Sequence, residues 1–178
     1  PRIVLSATGP LMTRVAAEVA DGMIMHPFSS EKFMREITLP AIERGLATSG
    51  RTLSDFAIDY APMIATGRSD EAIAKAIEVV RGRIAFYGCT VAYKPVLDIH
   101  GWGDLQDELI ALNRQHRSAE MAALISDEML ETIAIVGSPE QVVDTMKARF
   151  GGGIARTRFG APDLADDDLG NLLARLRG

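Results

Sequence analysis

Apolar and polar positions along the chain follow two alternating periods. Short β-branched or alternating runs at residues 2–7 (RIVLSA), 23–26 (MIMH), 56–66 (FAIDYAPMIAT) and 154–160 (IARTRFG) predict strands. Pro62 inside the third run predicts a bulge or an edge. Between them the spacing turns helical. Leu11, Val15 and Val19 repeat after Pro10, a residue tolerated in the first helical turn. Ser30 is placed to cap a helix over 31–48 that Gly50 ends. Ser69-Asp70-Glu71 opens a helix with a stripe at Ile73, Ile77, Val80 and Ile84. Ser138-Pro139-Glu140-Gln141 is a capping-box pattern for a helix reaching Phe150, with Gly151 to Gly153 as its stop. Residues 164–176 predict a closing helix. The stretch 88–131 is an irregular helical excursion, and TIAIV (132–136) reads equally as strand or helix end.

Strands separated by helices imply parallel pairing and an α/β fold in a single domain over 1–178. About four β/α units are present where a closed (β/α)8 barrel needs eight. A doubly wound nucleotide-binding sheet is the other architecture, but its G-x-G-x-x-G turn is missing, since Gly151 to Gly153 precede a strand.

Composition narrows the function. A net charge of −5 argues against a nucleic-acid surface. No apolar run reaches the length of a membrane helix and no signal peptide is visible, so a cytoplasmic protein is expected. One cysteine, Cys89, makes no internal disulfide and lies in no activating motif, and Ser6 has no nucleophile-elbow context. The histidines lack metal-ligand spacing, so no metal is expected.

Three places carry candidate chemistry. Ala7, Thr8, Gly9 and Pro10 link a strand to a helix, leaving unpaired N–H groups of Thr8, Gly9 and Leu11 at a positive helix end, which suits a phosphate. Gly9 permits close approach and Thr8 adds a hydroxyl. His26 ends a strand, where barrel active sites lie; it fits a catalytic role or a hydrogen-bonded place at the core's edge. Arg156 and Arg158 alternate on the last strand, as partners for an anionic ligand or for the Asp166–Asp168 cluster. His100, in HGWGD, reads as part of a surface loop with Asp104 as a helix cap, and His116 as solvent-facing. Met12, Met23, Met25 and Met34 read as core.

SATGP (6–10), AAEVADG (16–22) and VGSPEQV (136–142), in that order, resemble the luciferase-like monooxygenase superfamily of flavin- or deazaflavin-dependent TIM barrels. FYG…AY.PVL..HGWGD resembles a subgroup that uses coenzyme F-420. The resemblance covers the C-terminal half of the family's barrel, so the chain, which opens on Pro1, begins where the fifth strand would. It implies an oxidoreductase acting on a small organic substrate, with coenzyme F-420 favoured and FMN possible. It places the cofactor's phosphate or tail at Ala7–Pro10. An open half-barrel also predicts a homo-oligomer or pairing with an absent N-terminal half. The alternative function is a non-catalytic half-barrel that self-associates or binds a partner protein.

Overall fold

The computed structural model describes residues 1–158 and 166–177. Its first half is a repeating strand-and-helix unit. Strand β1 (Val4–Ala7) leads into α1 (Gly9–Val19), and β2 (Gly22–Met25) follows. The next helix is continuous but changes pitch: α2 (Glu31–Phe33), a π-helical turn (Met34–Thr38) and α3 (Leu39–Thr48). Ser30 caps it as expected, its hydroxyl accepting the N–H of Phe33 at 3.1 Å. Strand β3 (Ala57–Tyr60) completes a parallel sheet in the order β1-β2-β3. One face carries Ala7, Met23, Met25, Ile58 and Tyr60 into a core with Ala16, Ala17, Ile42 and Leu46. On the other face Ser6, Ile24 and Asp59 lie in one cross-strand row.

Helix α1 is where expected but turned. Leu11 and Val19 are 72% and 66% exposed, and the buried face carries Thr13, Ala16 and Ala17. Close packing against α3 is the reason. A Cβ at Gly45 would lie 2.3 Å from the Arg14 carbonyl oxygen and 2.7 Å from the Ala17 Cβ. At that approach only small side chains fit between the helices, so the alanine face displaces the larger apolar stripe. Met12 is exposed for the same reason, whereas Met23, Met25 and Met34 are core. The carboxyl end of α1 is closed by Arg51, whose guanidinium donates to the carbonyls of Ala17, Glu18 and Ala20.

Residues 56–66, expected as one strand, are two. After β3 the chain breaks at Ala61-Pro62, and β4 (Met63–Thr66) pairs with β5 (Ala134–Gly137) in a separate parallel sheet. Pro62 has no N–H for a continuing ladder, which favours the break. Between β4 and β5 run α4 (Asp70–Gly88), α5 (Lys94–Asp98), α6 (Leu105–Arg114), α7 (Ser118–Ala123) and α8 (Asp127–Ile133). The ambiguous TIAIV is thus a helix end to Ile133 and a strand from Ala134. These helices pack on β4 and β5 around a second core that includes Ile84, Leu97, Leu109 and Ile133.

The Ser138 capping box forms on both sides, and Pro139 opens α9 (Pro139–Phe150). The expected last strand, 154–160, is reduced among the described residues to one parallel bridge between Arg156 and Asp59. Ala155 donates to the Ile58 carbonyl at 2.8 Å and Tyr60 to the Arg156 carbonyl at 3.0 Å, so this segment takes the position beside β3. Residues 159 and 160 lie outside the described residues, as do 164 and 165 of the closing helix. That helix, α10, spans Asp166–Arg177. No described helix is long and apolar enough to cross a membrane.

Candidate functional site

The turn from β1 to α1 has no side-chain cap. Thr8 stands at the N-cap in extended conformation, yet its hydroxyl makes no capping bond, and no acid lies in the first turn. Gly9 has φ +73°, the left-handed region that L residues with a Cβ enter at a cost. A Cβ built there would meet nothing within 4 Å, so the glycine answers to backbone conformation and leaves open space above the turn. Pro10 brings no donor, and the remaining N–H groups share the positive end of the helix.

His26 follows β2 directly. Its Nδ1 accepts the N–H of Phe28 at 3.1 Å, which assigns the ring hydrogen of the neutral form to Nε2. Partial burial holds its pKa below the ordinary imidazole value, favouring that neutral form. The ring stacks on Tyr93 with centroids 4.4 Å apart and meets the edge of Tyr87 at 4.7 Å.

Because β1 and β2 are neighbours, these places converge. Thr8, Gly9 and His26 line one cavity of about 30 Å³ with Thr13, Ser29 and Tyr93 among its other walls. That is room for a water or two. The Ser29 hydroxyl is buried against it with no hydrogen-bond partner among the described residues. Thr38, at the end of the π-helical turn, is another of its walls. Sequence reasoning found Thr8, Gly9 and His26 but missed Ser29, Thr38, Tyr87 and Tyr93. The two tyrosines stand in the quoted FYG…AY pattern, and only the fold brings them against a residue some 60 positions upstream.

The arginines do not join this site. Arg156 is 62% exposed at its side chain and pairs with Asp59 at 3.1 Å. Arg158 is exposed too, and neither lines the cavity of Gly9 and His26. Of the Asp166–Asp168 cluster, Asp168 pairs with Arg68 at 2.9 Å, and the side chains of Asp166 and Asp167 lie outside what is described. A single bridge beside β3 leaves the Arg156 side chain in solvent instead of on a buried strand face. His100 is more than a loop residue. Its Nε2 lies 2.8 Å from the Ser30 hydroxyl and its ring stacks on Trp102 at 4.6 Å. Asp104 precedes α6 without capping it, and His116 is exposed as expected. Burial pushes the Cys89 thiol up, away from the thiolate a nucleophile needs.

Comparison with known proteins identifies the family and the fold. The model of the luciferase-like monooxygenase family matches residues 1–156. An uncharacterized protein of Mycobacterium tuberculosis is 42% identical over 156 residues, covering 88% of this chain and 46% of that protein. The 5,10-methylenetetrahydromethanopterin reductase of Methanopyrus kandleri is 29% identical over 161 residues, covering 89% of this chain and 44% of the enzyme. Among solved structures, the coenzyme F420 dependent tetrahydromethanopterin reductase of Methanopyrus kandleri superposes with a TM-score of 0.75 at 23% identity, over 98% of this chain and 49% of that one. An F420-dependent secondary alcohol dehydrogenase in complex with an F420-acetone adduct gives 0.66 at 16% identity, over 99% and 49%. The chain spans about half the length of the relatives it matches, and its fold is that of half a (β/α)8 barrel with parallel strands.

Proposed function

Because the chain belongs to the luciferase-like monooxygenase family, we propose that it serves a deazaflavin-dependent oxidoreductase acting on a small organic substrate, with coenzyme F-420 favoured over FMN. The observation that carries this reading is the uncapped, left-handed Thr8–Gly9 turn in one cavity with His26. When bound, the reduced deazaflavin supplies a hydride. The chain's own residues bind and orient. The Thr8, Gly9 and Leu11 N–H groups donate to a phosphate of the cofactor, with the positive end of α1 behind them. The buried, unpartnered Ser29 hydroxyl is a further donor within the same walls. A deazaflavin ring needs far more room than about 30 Å³, so on this reading ring and tail stay outside the cavity and a phosphate meets the turn from the open space above Gly9. His26, neutral and carrying its hydrogen on Nε2, offers a hydrogen bond to an acceptor atom of the substrate or cofactor. The F420 dependence of the two structural neighbours supports the choice of cofactor. Arg156 and Arg158 remain candidates for a second anionic contact, from an exposed position.

The test is a fluorescence titration of the protein with coenzyme F-420 and, separately, with FMN. Tighter binding of F-420 is expected; binding of neither refutes the reading. A second reading rests on the open sheet face of Ser6 and Ile24, both exposed on the side away from the helices. On that reading the chain self-associates or pairs with another half-barrel.

A further inference from the structure

The excursion after α4 is a closed unit. The buried Gln106 amide donates to the carbonyls of Gly88 and Thr90, at 2.9 Å and 3.1 Å, closing residues 88–106 on themselves. Lys94 Nζ bonds to Asp98 and to the Gly103 carbonyl across its middle. This unit touches the short stretch His26–Ser30 at both ends. Tyr93 lies on the His26 ring at 4.4 Å. Seven positions later, His100 Nε2 meets the Ser30 hydroxyl at 2.8 Å, while that same hydroxyl accepts the Phe33 N–H at 3.1 Å. Lys32 Nζ adds a bond to the Ile99 carbonyl at 2.8 Å. Inside the stretch, the Phe28 N–H occupies His26 Nδ1.

We propose that His100 is a positioning residue of the site: its bond to Ser30, with Tyr93 on the His26 ring, clamps residues 26–30 from both ends so that His26 keeps one tautomer and turns its Nε2–H to the cavity. A residue 74 positions from His26 thereby sets which ring atom meets a ligand. The inference rests on the reading of His26 as a donor in the site. The titratable groups packed against the ring are Tyr87 on α4 and Tyr93 on the excursion, so its tautomer reports the clamp.

Nitrogen NMR of the ¹⁵N-labelled chain reads this directly, since it has only three histidines and exposed His116 serves as an internal reference. The parent is expected to show His26 as a single Nε2–H tautomer. His100→Ala should mix the tautomers and move the His26 titration midpoint up toward the ordinary imidazole value. His100→Gln, whose amide can still hydrogen-bond to Ser30 as donor or acceptor, should restore the parent pattern. The proposal falls if His26 is unchanged in folded His100→Ala, or if His100→Gln fails to restore it. Should His100→Ala not fold, Tyr93→Leu decides: mixed tautomers support the clamp and a single one overturns it. No cofactor enters the measurement, so its failure and that of the cofactor reading are separate results.

Discussion

Replacing Gly9 separates the backbone role of the turn from its role as a binding surface. At φ +73° an L residue with a Cβ costs about 1–2 kcal/mol. No clash adds to this, because a Cβ there meets nothing within 4 Å. In a chain of this size each kcal/mol moves the melting temperature by about 2–4 °C, so Gly9→Ala should melt roughly 2–8 °C lower. Binding should suffer more. A hydrogen bond to a charged acceptor contributes about 1.5–3 kcal/mol, and each 1.4 kcal/mol is tenfold in affinity. Loss of one amide contact therefore weakens coenzyme F-420 binding roughly 10- to 150-fold. Gly9→Asn is the discriminating partner, since asparagine tolerates the left-handed region. It should recover most of the melting temperature while its side chain still obstructs the phosphate. Calorimetric titration with F-420, beside thermal melts, gives both numbers. Parent affinity in Gly9→Ala and Gly9→Asn, with the melt lowered as calculated, refutes the phosphate assignment.

Gly45→Ala sets helix propensity, which favours alanine by about 1 kcal/mol, against overpacking of α1 on α3, which costs about 1–3 kcal/mol. With a backbone oxygen 2.3 Å from the new Cβ, overpacking should win and the melting temperature should fall; a rise contradicts the packing described. Arg156→Ala breaks a pair whose arginine is 62% exposed and whose Asp59 is 22% exposed, so its stability cost should stay at or below about 1 kcal/mol by chemical denaturation. A larger loss means the pair is shielded in solution. Burial depresses the folded-state pKa of His26 and of His100, so the unfolded chain binds more protons just below the ordinary value of about 6.5. Their contribution to stability is present above that pH and is lost as pH falls through the depressed values; melts from pH 7.5 to 5 should drop, and less steeply in His26→Gln. The open face of Ser6 and Ile24, with exposed Leu11 and Val19, predicts a dimer or larger species at micromolar concentration. Light scattering that finds a stable monomer excludes it.

What the sequence determined by itself was local. Side-chain periodicity and caps made from residues three apart placed α1, the Ser30-capped helix, α4 and the Ser138 capping box, because these depend on neighbours along the chain. The turn at Gly9 was legible too, since glycine between a strand and a proline-led helix has a local reason to be there, whereas its left-handed φ came from the structure. Tertiary structure decided whatever depended on distance between elements. The face α1 buries follows from Gly45 on another helix, so the apolar stripe of Leu11 and Val19 was outvoted by packing. Pro62 announced an irregularity, but only pairing with β5, some 70 residues on, made it a boundary between two sheets. Arg156 faces Asp59 and solvent because a single bridge, rather than a full ladder, holds its segment. Tyr87 reaches His26 from the end of α4, and Tyr93, with the histidine that holds Ser30, comes from an excursion without strand periodicity. Their contacts are set by how that excursion folds back over the sheet, which no local pattern encodes.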